Sequence, residues 1–237
     1  MDVANRILKS TEGKNDPSSV LLRGVAAWIR GEVYRYSKSY DKAKTEYQQA
    51  ISIAPNTVIA QIASGSYADC CFQQTAENNN PSAKVHSAIK VDVLENPNAN
   101  QAEQSVSPYK AVLSEYAKIL TISNLTLENE AVVTYKAAKT SELAGDYPAM
   151  QTYLRTLFSL VKPEEAPLHP VEAYWITKGA LLAEDFFNAF PTADSIYVAE
   201  SAINWLFITG KISAETAKAR KKVLSAKIIP NVSQTQK

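Results

Sequence analysis

Residues 31–55 read GEVYRYSKSYDKAKTEYQQAISIAP. Tyr40, Ala43, Tyr47 and Ala50 are spaced so that they share one face of a helix of roughly 3.6 residues per turn, which predicts a helix over 40–54. Pro55 stops it, and Asn56-Thr57 can open the next. Upstream, Val25, Trp28, Ile29, Val33 and Tyr36 also recur at helical spacing, predicting a helix over 17–38. Ser37-Lys38-Ser39 is a short turn, so the two helices should be antiparallel neighbours. Gly31 lies inside the first helix, where it costs about 1 kcal/mol relative to Ala. Such a glycine marks close approach of another backbone, and Ala43 is the expected partner.

This pattern resembles the tetratricopeptide repeat, a helix-turn-helix of about 34 residues with small and aromatic side chains at set positions. With Gly24 taken as the first position, Gly31, Tyr34, Ala43, Tyr47, Ala50 and Pro55 fall on the family's signature residue types, and Tyr40 also fits. Ala27 and Arg30 depart from it, standing where the family has a large residue and Leu. Gly65 keeps the small position of a second repeat. Residues 131–163 resemble a further, degenerate repeat: Ala138 holds the small position and Gly145-Asp146-Tyr147 the turn, while Ser141, Met150, Leu154 and Leu157 depart. Ala131 does not lie a multiple of the repeat length after Gly24, so an insertion must intervene.

The chain has 237 residues, enough for one large or two small domains, and 46% hydrophobic content suits a folded protein. A formal net charge of +1 gives no global attraction to nucleic acid or anionic membrane, so a nucleic-acid partner is disfavoured. No apolar run approaches the roughly 18 residues that span a bilayer, and no secretory signal opens the sequence; as written the chain reads as cytoplasmic, unless an export signal has been removed. Two adjacent cysteines, Cys70 and Cys71, make neither a disulfide framework nor a four-ligand zinc site.

Residues 1–16 form an N-terminal segment with a short helix over 2–9. Asp16-Pro17 starts the first long helix, since Asp caps it and Pro fits its first position. Hairpins over 17–97 follow, with helices over 57–74 and 84–94 after the central pair. Residues 98–107 read as a polar linker or insertion. A second helical region over 108–227 carries helices at 108–122, 127–144, 147–161, 170–188, 193–209 and 213–227, with a proline-rich connector at 163–170. The last helix carries Lys218, Arg220, Lys221, Lys222 and Lys227 and reads as the polar cap of a stacked array. The tail over 228–237 is expected to be disordered.

No phosphate-binding glycine loop, nucleophile elbow or paired-histidine metal motif occurs. His86 and His169 stand alone, and the neighbouring carboxylates Glu164-Glu165 and Glu184-Asp185 would point apart on a helix. No catalytic residue, metal or cofactor is implied. The resemblance instead implies an all-α, right-handed superhelix of stacked antiparallel hairpins that binds a protein or peptide along its inner face. On this chain the matching inner positions are Val25, Trp28, Glu32, Arg35 and Tyr36, and in the weaker repeat Val132, Tyr135, Lys139, Glu142 and Leu143. Trp, Tyr and Arg are enriched at binding hot spots, although burial against neighbouring helices is the alternative role for Trp28 and Tyr135. Some family members clamp acidic peptide tails with Lys and Asn at places that here hold Trp28 and Glu32, so that clamp is not expected. The reading is thus a non-catalytic adaptor or assembly subunit of unknown oligomeric state. The alternatives are a peripheral subunit docking on anionic lipid or nucleic acid through the basic last helix, and an enzyme on a helical scaffold.

Overall fold

The computed structural model describes residues 1–79, 107–160 and 170–232. Among these residues the chain forms ten helices and no strand: α1 Asp2–Thr11, α2 Pro17–Tyr36, α3 Tyr40–Ile53, α4 Val58–Asn78, α5 Tyr109–Leu120, α6 Leu127–Ala144, α7 Tyr147–Ser159, α8 Pro170–Ala189, α9 Ala193–Ile208 and α10 Ala214–Val232. The helix expected over 84–94, most of the linker and connector, His86, His169 and Glu164-Glu165 lie outside the described residues. Two compact units are present, Met1–Glu115 and Tyr116–Lys237, and α5 crosses the division.

In the first unit α1 packs on α2, α2 on α3 and α3 on α4, and α2 also reaches α4. The ends of α2 follow from local chemistry. The Asp16 carboxylate accepts from the Ser19 backbone N–H at 3.0 Å, with Pro17 in the first turn. At the other end Lys38 takes a left-handed φ of 59° and the Ser39 N–H returns to the Tyr34 carbonyl at 2.9 Å. The chain therefore reverses within three residues, 37–39, and α3 is laid back along α2. Ala43, Tyr47 and Ala50 are fully buried and Tyr40 nearly so, as their spacing requires.

Gly31 is buried, but its neighbour is not the expected Ala43. A Cβ at Gly31 would stand 2.5 Å from Cε1 of the Tyr47 ring. The flat ring occupies the volume that a methyl group would need, and its hydroxyl donates to Glu32 Oε1 at 2.9 Å, which fixes it there. Gly24 makes a second close approach, with Ala54 and Ile59 against it. Gly65, which stands at the small position of the expected second repeat, has nothing within 4 Å of a built Cβ, so packing does not require a glycine there.

The second unit repeats the hairpin with other side chains. Thr126 caps α6, and Gly145 ends it at φ 73° while the Asp146 N–H returns to the Ser141 carbonyl at 2.9 Å. Asp146 then caps α7 by accepting from the Ala149 N–H at 3.1 Å. Helix α6 packs on α7 and α8, α7 on α8 and α9, and α9 on α8 and α10. Met150, Leu154, Leu157, Ile176 and Phe186 fill the space between them, together with Trp205. Gly179 admits Leu157, whose Cδ2 occupies the place of the missing Cβ. Between α8 and α9, Thr192 and Ser195 exchange hydrogen bonds in a capping box. The last helix runs past the expected end at 227 as far as Val232, with Pro230 in its last turn.

Candidate functional site

The sequence periodicity of α2 does not leave one polar face. Its buried side presents Gly24, Ala27 and Gly31 to α3 and α4. The opposite side carries Leu22, Val25, Ile29, Val33 and Tyr36 at intervals of three and four, one stripe along the helix. Leu22 is 44% exposed, Val33 38% and Tyr36 82%, while Val25 and Ile29 are half-buried. A helix that is apolar on both faces is ordinarily covered on both. None of the contacts that α2 makes with α1, α3 and α4 covers this stripe fully.

The other expected binding residues of the first unit have internal partners. The Trp28 indole N–H donates to Ser66 Oγ at 3.1 Å, and its ring packs on both buried clusters of the α2–α3–α4 stack. It therefore ties α2 to α4. Glu32 accepts from Arg35 at Oε2 and from Tyr47 at Oε1. Burial opposes ionisation of Glu32, but the hydrogen bonds from Arg35 and Tyr47 outweigh it and hold the carboxyl below the usual carboxylate range. The Arg35 guanidinium also lies 5.4 Å from the Tyr36 ring centroid, which orients that exposed ring. Glu46, on α3, behaves oppositely. It pairs with Arg30 at 2.6 Å, yet burial dominates and pushes its carboxyl up.

In the second unit Tyr135 stacks against Trp175 with ring centroids 5.3 Å apart, at the edge of the main core. Lys139 pairs with Glu142 on its own helix, Leu143 is exposed and Val132 half-buried. These side chains form no apolar stripe comparable to that of α2. Sequence reasoning named Val25 and Tyr36 of that stripe and missed Leu22, Ile29 and Val33 as surface residues. The available signal was a second apolar spacing, Leu22, Val25, Ile29, Val33 and Tyr36, on the side of α2 away from Gly24, Ala27 and Gly31.

Chemically reactive groups are quiet. Cys70 is fully buried, donates to the Tyr40 carbonyl at 3.5 Å, and is pushed up to about 11 by burial and then by its neighbour Cys71. Burial also raises Cys71. Neither thiol carries the thiolate character a nucleophile needs. Glu184 is engaged by Arg220 at 2.7 Å. Among the described residues no group of three His, Cys, Asp or Glu could hold a metal ion, and no helix is long and apolar enough to cross a membrane.

The basic last helix is docked rather than free. Ala217 and Leu224 are buried against Phe187, Ala199 and Ile203. Arg220 binds Glu184, Lys221 donates to Asn204 at 2.5 Å, and Lys227 donates to Asn188 at 2.6 Å while lying over the Phe187 ring. Lys218 and Lys222 remain exposed without such contacts described. The cations of α10 thus serve largely to seat it on α8 and α9. No protein-family model, no curated protein and no solved structure matches the chain.

Proposed function

We propose that the protein is a non-catalytic interaction module, an adaptor or assembly subunit built on tetratricopeptide-like hairpins stacked in a right-handed superhelix. The observation that carries the reading is the partly exposed apolar stripe Leu22, Val25, Ile29, Val33 and Tyr36 on an otherwise packed helix. A contiguous apolar strip on a folded surface marks an interaction site, and an amphipathic segment of another protein, laid along it, would cover it. The signature residues of 24–55 support the tetratricopeptide-like part of the reading. Docking on anionic surfaces through α10 is the weaker alternative, because Arg220, Lys221 and Lys227 are already engaged.

The test is co-purification from the native source with wild type and a Leu22→Asp/Val33→Asp double variant, followed by mass spectrometry. Circular dichroism and thermal melting check that the variant folds. A partner recovered by wild type and lost by the folded variant is the expected result. Equal recovery by both moves the interface off α2, and substrate turnover with no protein bound would overturn the module reading.

A further inference from the structure

The apolar stripe of α2 runs from Leu22 to Tyr36, about 21 Å at the helical rise per residue. Two contacts fix what lies at its Tyr36 end. The Trp28 indole meets Ser66 at 3.1 Å, and further along both elements Lys38 meets Glu77 at 2.8 Å. Helix α4 therefore runs in the same direction as α2, and its last residue, Asn78, leaves the stack beside the Tyr36 end of the stripe. The chain returns at that same end. The ring of Tyr109, the first residue of α5, stands 5.8 Å from that of Phe72, within the last two turns of α4.

Residues 80–106, which lie outside the described residues, are thus tethered at both ends beside Tyr36. Half of that length, going out before the other half returns, spans about 20 Å even at the helical rise, as long as the stripe itself. The apolar residues fall in its middle. Val85, Ile89 and Val93 follow one another at intervals of four, with Val91 and Leu94 beside them, and the charges of Lys90 and Asp92 cancel. Intervals of four align side chains along one edge, as the α2 stripe does. On either side the sequence carries no large apolar residue, with Glu77-Asn78-Asn79-Asn80 before it and residues 98–105 after it. A segment tethered in this way meets its surface at an effective concentration of about a millimolar, which favours it over a free partner for the same stripe.

We propose that residues 85–94 dock lengthwise on the α2 stripe, Val85 toward Tyr36 and Val93 toward Leu22, and thereby compete within the chain with the partner protein. The competition rests on the interaction-module reading; the docking does not.

The test is photo-crosslinking of the purified full chain with a benzophenone amino acid placed at Tyr36 and, separately, at Leu22. Trypsin cuts after Lys84, Lys90 and Lys110, so mass spectrometry separates residues 85–90 from 91–110. The expected result is a crosslink from position 36 to 85–90 and from position 22 to 91–110, both in the monomer band of a denaturing gel. Val85→Asp/Ile89→Asp/Val93→Asp should lower both yields roughly tenfold, because a carboxylate cannot be laid unpaired on an apolar surface, with an unchanged circular dichroism spectrum. Crosslinks confined to the dimer band overturn the proposal and give the stripe to a second copy. Absence of both crosslinks overturns it directly. Unchanged yields in the Asp variant overturn it too, since tethering alone would then account for them. In co-purification the Asp variant should recover at least threefold more partner than wild type, and equal recovery overturns the competition. If no variant recovers a partner, the interaction-module reading fails, while the crosslinks still decide the docking.

Discussion

The α2–α3 hairpin and the α7–α8 pair both bring helices together over a buried glycine, but what meets the glycine differs. Over Gly31 lies the rigid Tyr47 ring, fully buried and held by its hydroxyl to Glu32. Over Gly179 lies the tip of Leu157, a branched methyl that can rotate. The first unit is accordingly organised around a tyrosine and its polar network, Glu32, Arg35 and Tyr47. The second is organised around an aliphatic and aromatic core that includes Met150, Leu154, Ile176 and Phe186. The same stacking of helix on next-but-one helix occurs in both. One packing solution is stiff and specific, and the other is filled by volume.

The sharpest way to break this comparison is Gly31→Ala against Gly179→Ala. Helix propensity favours Ala by about 1 kcal/mol at either site. At Gly31 the new methyl meets a buried, hydrogen-bonded ring, and overpacking of this kind costs about 1–3 kcal/mol, so a net loss of up to about 2 kcal/mol is expected. At Gly179 the Leu157 tip can turn aside, and the change should stay within about 1 kcal/mol of neutral. Urea titration of both variants decides; equal losses would remove the distinction between the two units.

Next in size is Glu32→Gln, which tests the polar network of the first unit. Removing one partner of a part-buried, charge-assisted bond costs about 1–2 kcal/mol. The folded carboxyl lies below its unfolded value, so its contribution is present above the ordinary glutamate range, near 4.3, and lost as pH falls through the folded value. The gap between wild type and Glu32→Gln should therefore be full at pH 7 and narrow toward pH 3 in thermal melts. Glu46→Gln should lack that acid-side narrowing, because burial raises the Glu46 carboxyl instead: ionisation then opposes folding above its folded value and ceases to do so as pH falls through it. A flat difference for Glu32→Gln would mean that the network contributes no ionisation-linked stability.

The smallest expected effect has the opposite sign. Gly65→Ala adds a methyl into open space within α4, and should stabilise by about 0.5–1 kcal/mol. A rise in melting temperature of about 1–4 °C is the outcome to look for. A loss would show that something occupies the space beside Gly65 in solution.

The helices were legible in the sequence because their signals are local. Asp16-Pro17, Thr126 and Gly145-Asp146 act within one turn of the backbone, and the spacing of Tyr40, Ala43, Tyr47 and Ala50 is a property of a single segment. The repeat resemblance was strongest around 24–55, where most signature positions carry small and aromatic residues, and weaker over 131–163. In the second unit, Met150, Leu154 and Leu157 fill equivalent space without that pattern.

The candidate site was partly legible. Val25, Ile29, Val33 and Tyr36 of the α2 stripe share a helical spacing, and the resemblance placed Val25 and Tyr36 on the inner face, but spacing alone does not say which apolar face is covered. That depends on pairs far apart in the chain. Trp28 and Ser66 meet through a hydrogen bond and so remove Trp28 from the free surface. Glu184 and Arg220 meet likewise and seat the basic helix. A short-range pattern specifies where a helix begins, ends and is apolar; which of its faces meets another helix, and which cations are free, is set by long-range contacts whose geometry no single segment encodes.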